Sequence, residues 1–154
     1  MADFNNSPIN ADGTIIMGDP KYLPLQGQKM RHQIVTIHVD QKNKRYQFDT
    51  IAHTTNKRIV GVFVTSTERG EDNSKSIMDS TMSLTIDNEE ILPDGFDCSL
   101  ICEKTVNSFY DHPYIMNERA DGSTIKGTYV SSANVDIPAG GYDVKIYLWC
   151  VVKK

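Results

Sequence analysis

No apolar run in the chain approaches the roughly 20 residues that a membrane-crossing helix needs, so no membrane insertion is expected. The first residues, Met1-Ala2-Asp3-Phe4-Asn5-Asn6, lack both the basic start and the apolar segment of a secretory leader. The expectation is a protein made in the cytoplasm that stays there or leaves by a route needing no signal. Cysteine is scarce. Cys98, Cys102 and Cys150 are too few and too odd a set for a disulfide framework. On one strand face Cys98 and Cys102 would stand about 13 Å apart, beyond bonding reach. Buried free thiols are expected, with a Cys102–Cys150 bridge as the alternative. An excess of positive charge is also missing. A formal net charge of -4 speaks against binding by neutralisation of phosphates, so no direct nucleic-acid contact is expected.

The motifs of common chemistries are absent too. There is no Gly-x-Ser-x-Gly elbow and no glycine-rich phosphate cradle, so no catalytic residue is assigned and no cofactor is expected. The histidines, His32, His38, His53 and His112, form no short-spaced pair with another ligand, and no metal residue is assigned. His32 and His38 share a strand face but lie about 20 Å apart. Two acidic stretches, Glu68-Glu71-Asp72-Asn73 and Asp87-Asn88-Glu89-Glu90, offer oxygen ligands without calcium-loop spacing, and a solvated loop is the default for both. Lys42, Lys44, Arg45, Lys57 and Arg58 would form a basic patch if the ends of one hairpin met.

What the sequence does have is alternation. Its 154 residues suffice for one domain that buries its own core without staples. Residues 1–28 differ from the rest, because Pro8, Gly13, Gly18, Pro20, Pro24 and Gly27 interrupt every periodic segment. They read as an extended arm. Two readings of it stand: a loose terminus, or an arm that docks on a neighbour through Ile15, Ile16, Tyr22, Leu23 and Leu25. From residue 29 to 154 the period is two. Residues 30–39 alternate, Asp40–Lys44 is polar, and Tyr46, Phe48 and Thr50 resume, which predicts a hairpin. Arg58–Ser66 reads as a strand covered on both faces, with Gly61 marking a bulge or close contact. Met78 to Ile86 reads as a strand with one wet face. Asp94-Gly95 reads as a turn, after which Phe96, Cys98, Leu100 and Cys102 share a face. Glu103–Asn107 and Pro113–Arg119 are the only segments that suggest a helical turn.

In the last strand Tyr142, Val144, Ile146, Leu148, Cys150 and Val152 share one parity. The opposite parity holds Tyr147, Trp149 and Val151, too apolar for a face meant to be wet; it packs on another sheet or on another subunit. Phe109, Tyr110, His112 and Tyr114 crowd a turn-like segment that either caps the domain or contacts a partner or sugar. About eight short strands of this kind favour an all-β antiparallel sandwich or barrel.

The extended arm, the cadence of strands, the corner-like Ile91-Leu92-Pro93-Asp94-Gly95-Phe96 and the closing run Ile137-Pro138-Ala139-Gly140-Gly141-Tyr142 together resemble small single jelly-roll virion proteins, such as penton or minor capsid components of bacterial viruses. That resemblance implies a jelly-roll-like sandwich over residues 29–154 and a non-enzymatic structural role in a virus particle. It also implies partners that are copies of the chain and other structural proteins. The arm departs from many capsid proteins in not being basic. A carbohydrate- or ligand-binding module using Tyr110, His112, Tyr114 or Trp149 is the alternative.

Overall fold

The structure, a computed structural model, describes residues 29–67, 75–102 and 114–153. It is an antiparallel sandwich of two four-stranded sheets. The strands are β1 (Met30–Val39), β2 (Arg45–Ile51), β3 (Asn56–Ser66), β4 (Thr81–Ile86), β5 (Glu89–Asp97), β6 (Tyr114–Arg119), β7 (Thr124–Val130) and β8 (Tyr142–Val152). One sheet has the order β1-β8-β3-β6 and the other β2-β7-β4-β5. First pairs with last and the pairing continues inward: β1 with β8, β2 with β7, β3 with β6, β4 with β5. The chain is thus one long hairpin with β4–β5 at its tip, rolled so that alternate pairs fall in opposite sheets. This is the double-sheet jelly-roll arrangement.

Alternation explains the core. From the β1 sheet come Ile37, Val39, Ile59, Val62, Val64, Val144, Ile146, Leu148 and Cys150; from the other sheet come Phe48, Met82, Leu84, Ile86, Leu92, Ile125 and Tyr129. Each buried aliphatic side chain contributes about 1.5–3 kcal/mol. Gly127 lies between Phe48 on β2 and Leu84 on β4. A Cβ there would overlap the Phe48 ring and the Ser83 carbonyl oxygen. A hydroxyl chain crosses the same core. Tyr129 Oη donates to Ser80 Oγ (2.8 Å) and meets Tyr142 Oη (2.9 Å), while Ser80 donates to the Ser76 carbonyl. The burial of these groups is tolerated because each is bonded.

Several local expectations are corrected. β1 and β2 do not form a hairpin; they belong to different sheets. The intervening arch is held across the sandwich, with Asn43 N–H donating to Ser132 O and Lys44 N–H to Ser131 Oγ. Polar turn residues show that the chain reverses, but tertiary pairing decides which strand it meets. Gly61 does mark a bulge in β3, since the register with β8 shifts between Ile59 and Gly61. Asp94-Gly95 lies inside β5, where Gly95 takes φ of +87°, so the strand kinks there and continues. The strand ends at Asp97, and Cys98–Leu100 forms a 3₁₀ turn, so Cys98 and Cys102 do not share a strand. Met78 belongs to a helical turn, Lys75–Met78, before β4. Tyr114–Arg119 is a strand because it pairs with β3 from Arg58 to Val62. The expected helical turn at 103–107 and the arm at 1–28 lie outside the described residues.

Candidate functional site

The two outer faces of the sandwich differ in kind, and the apolar one is the candidate. On β8 the outward parity holds Tyr147, Trp149 and Val151. The β3 bulge turns Val60 and Phe63 to that same side. None of Val60, Phe63, Trp149 and Val151 belongs to the core between the sheets, yet Trp149 is 0% exposed, Val60 and Val151 2%, and Phe63 7%. The neighbour of Trp149 on β3 is Gly61, so no side chain there crowds the indole. Beside this sealed region is an open apolar hollow of about 210 Å³ lined by His32, Phe63, Thr65 and Tyr147. His32 and Tyr147 meet edge to face with ring centroids 6.0 Å apart. Partial burial pushes the His32 pKa down, which favours its neutral ring. Ile34, on the same face of β1, is 50% exposed. The face ends in polar contacts where His38 Nδ1 lies 2.8 Å from Asp143 Oδ1.

The outer face of the other sheet is a polar trough of about 440 Å³. Gln47, Asp49, Ser83, Thr85, Lys126 and Thr128 line it. Two rungs cross three strands, Asp49–Lys126–Thr85 and Gln47–Thr128–Ser83. Ser83 Oγ and Thr128 Oγ1 are 2.8 Å apart, and Arg45 holds the Asp94 carboxylate with two bonds of 3.1 and 3.3 Å.

The sequence-derived candidates divide accordingly. Tyr147 and Trp149 do lie on an apolar outer face. Trp149 has no exposed surface, so it offers no stacking platform to a sugar. Ile15, Ile16, Tyr22, Leu23, Leu25, Phe109, Tyr110 and His112 lie outside the described residues, and Tyr114 opens β6. Val60, Phe63, His32 and Ile34 were missed as members of the face. The signal was available only in part, because the Gly61 bulge switches the parity of β3 midway.

The ends of that expected hairpin do not meet, so the basic patch conditional on it is not formed. Lys42, Lys44 and Arg45 sit at the end of the sandwich where Val39 meets Tyr142, and Lys57 and Arg58 at the end where Met30 meets Val151. That separation is on the order of 30 Å. The first group is also paired with carboxylates, Lys42 with Asp136, Lys44 with Asp40 and Arg45 with Asp94. Asp87 and Asn88 form the two-residue β4–β5 turn, both at positive φ (49° and 65°). The Asp87 carboxylate accepts the Thr124 N–H at 2.9 Å, which holds its pKa below the usual range. Among the described residues no three His, Cys, Asp or Glu side chains converge as a metal site. The cysteines are buried and unbridged. Burial pushes the Cys150 thiol up to about 11 and the Cys98 thiol up as well, the opposite of nucleophile activation. No helix among the described residues is long and apolar enough to cross a membrane. No family model, curated protein or solved structure matches the chain.

Proposed function

We propose that the chain is a non-enzymatic structural protein that works by self-association, as a capsid, penton or head-associated component of a virus particle. The observation that carries this reading is the outer face of the β1-β8-β3-β6 sheet, where Trp149, Val151, Val60 and Phe63 form an apolar layer outside the core and an apolar hollow opens beside them. The open part of this face, the hollow and the half-exposed Ile34, is the kind of apolar surface that association uses. The rolled-hairpin strand order is one that viral capsid domains use, although the same order serves lectins. The split of the basic residues between two ends gives no stripe for phosphates, so its partners are copies of itself and other structural proteins. Sedimentation of the full chain over a wide concentration range tests this: an oligomer is expected, and a strict monomer at high concentration overturns it.

A second reading is ligand binding. The trough of Gln47, Asp49, Ser83, Thr85, Lys126 and Thr128 favours it, because such side chains match the donors and acceptors of a neutral saccharide. Titration of the labelled protein with saccharides, followed by amide chemical shifts, is the test. Shifts confined to the trough support this reading, and none across broad glycan classes removes it.

A further inference from the structure

We propose that Cys102 and Met78 form a binding site for one soft monovalent metal ion, of the copper(I) or silver(I) class. Such a site is independent of self-association and goes beyond it.

The two sulfurs come from different turns that the fold ties together. Lys75–Met78 is the helical turn before β4, and Cys98–Leu100 is the 3₁₀ turn after β5. β4 and β5 are neighbours in their sheet, and Cys98 N–H donates to Ser80 O at 3.0 Å, which joins the two turns. Beside Met78, Ser80 N–H donates to Ile77 O at 3.2 Å. Beside Cys102, Ile101 N–H donates to Cys98 O at 3.1 Å, and Ile101 O accepts from Val64 N–H at 2.9 Å. Cys102 itself bridges to Val64 on β3. The backbone on both sides is therefore held, and Cys102 Sγ lies 3.3 Å from Met78 Sδ. A contact of the same thiol with the Ser99 carbonyl is longer, 3.9 Å.

Thiolate and thioether are soft, polarisable ligands, which favour copper(I)-class ions over magnesium or calcium. Methionine supplies a ligand that the histidines and carboxylates do not. Charge narrows the choice further. On binding, the Cys102 S–H bond breaks, a sulfur–metal bond forms and the proton leaves to solvent; Met78 donates a lone pair and loses nothing. One thiolate and one monovalent ion make a neutral unit, which a buried site accepts, whereas a divalent ion leaves a net charge there. Cys102 is 0% exposed, and Met78, at 38%, gives the ion its way in. Two sulfurs held about 2.3 Å from one ion stand at most about 4.6 Å apart, so the pair opens by roughly 1 Å. The flexible, part-exposed Met78 side chain absorbs that movement.

Titration of the reduced full chain with silver nitrate, followed by the methionine methyl resonances, tests the site. One ion per chain is expected, with the Met78 methyl signal shifted. Affinity should rise with pH, because binding releases a proton. Met78→Leu keeps the bulk and removes the thioether; it is expected to weaken binding about tenfold or more, the range that loss of even a supporting group costs a metal site. Cys102→Ser should abolish the Met78 shift. Cys150→Ser should leave it unchanged, since that sulfur contacts the Leu148 carbonyl in the core. Zinc chloride should produce no Met78 shift. If the Met78 signal of the parent does not move at one equivalent of silver, or Met78→Leu binds silver as tightly as the parent, the ion is an ordinary thiol adduct and the site is wrong. An equal response to zinc overturns the selection by charge. Neither result bears on the oligomeric state.

Discussion

The two sheets share one core and treat their other sides differently. The β2-β7-β4-β5 sheet presents hydroxyls, an amide, a carboxylate and an ammonium to solvent, as an alternating strand with one wet side should. The β1-β8-β3-β6 sheet carries an indole, a phenyl ring and two valines on its outer side and leaves almost none of them exposed. Water is the partner of the first outer face, and the second is closed off from it over most of these side chains. A face that is both apolar and covered contributes to stability as a core does, whereas the polar face should tolerate exchange.

The sharpest way to break this contrast is to truncate one side chain on each face. Trp149→Ala should cost about 3–5 kcal/mol, the range for emptying a buried aromatic site, while Thr128→Ala on the polar face should stay near 0.5 kcal/mol. Chemical denaturation of both variants checks it, and equal losses would erase the distinction. Next comes the interior of the polar sheet. Gly127→Ala forces a methyl group against the Phe48 ring and the Ser83 carbonyl, and should cost about 1–3 kcal/mol, read as a lowered midpoint. Tyr129→Phe breaks the hydroxyl chain that ties the sheets together at Ser80 and Tyr142. A loss of about 1–2 kcal/mol is expected, because the remaining hydroxyls stay buried.

Two smaller effects concern titration. A thiol reagent should leave Cys98 and Cys150 unmodified in the native protein and modify them after unfolding. Because burial raises the Cys150 pKa to about 11, from about 9, the folded state holds that proton longer than the unfolded one. Its contribution is therefore complete below about pH 9 and is lost as pH rises toward 11. Asp87 acts in the opposite sense. Its pKa is lowered by the Thr124 N–H and the Ser123 hydroxyl, so its contribution is present above the ordinary carboxylate range and falls away as pH drops through the lowered value. Asp87→Asn should flatten the acid limb of a stability-against-pH curve.

Local pattern revealed much of this architecture. β8 and β4 were legible because each alternates cleanly between a core side and another side. The doubly apolar character of β8 was legible as well, from Tyr147, Trp149 and Val151. Pairing was not. The partner of β1 lies at residues 142–151, and nothing local to Met30–Val39 distinguishes it from the nearer β2. β6 is short enough that its ladder with β3, rather than its own residue preferences, makes it a strand. The outer face escaped in part for a related reason: Val60 sits in the bulge and Phe63 beyond it, so counting by twos from either end loses one of them.

The placement of β8 also bears on how the molecule comes to be folded. Tyr142–Val152 is hydrogen-bonded on both sides, to β1 and to β3, and supplies the middle of its sheet. Until the ribosome has released that stretch, β1 and β3 have no shared neighbour and their apolar residues stay unclaimed. Nascent chains stalled before residue 142 should therefore remain dependent on chaperones, and folding should be a late, all-at-once event, as expected of topologies dominated by distant pairings.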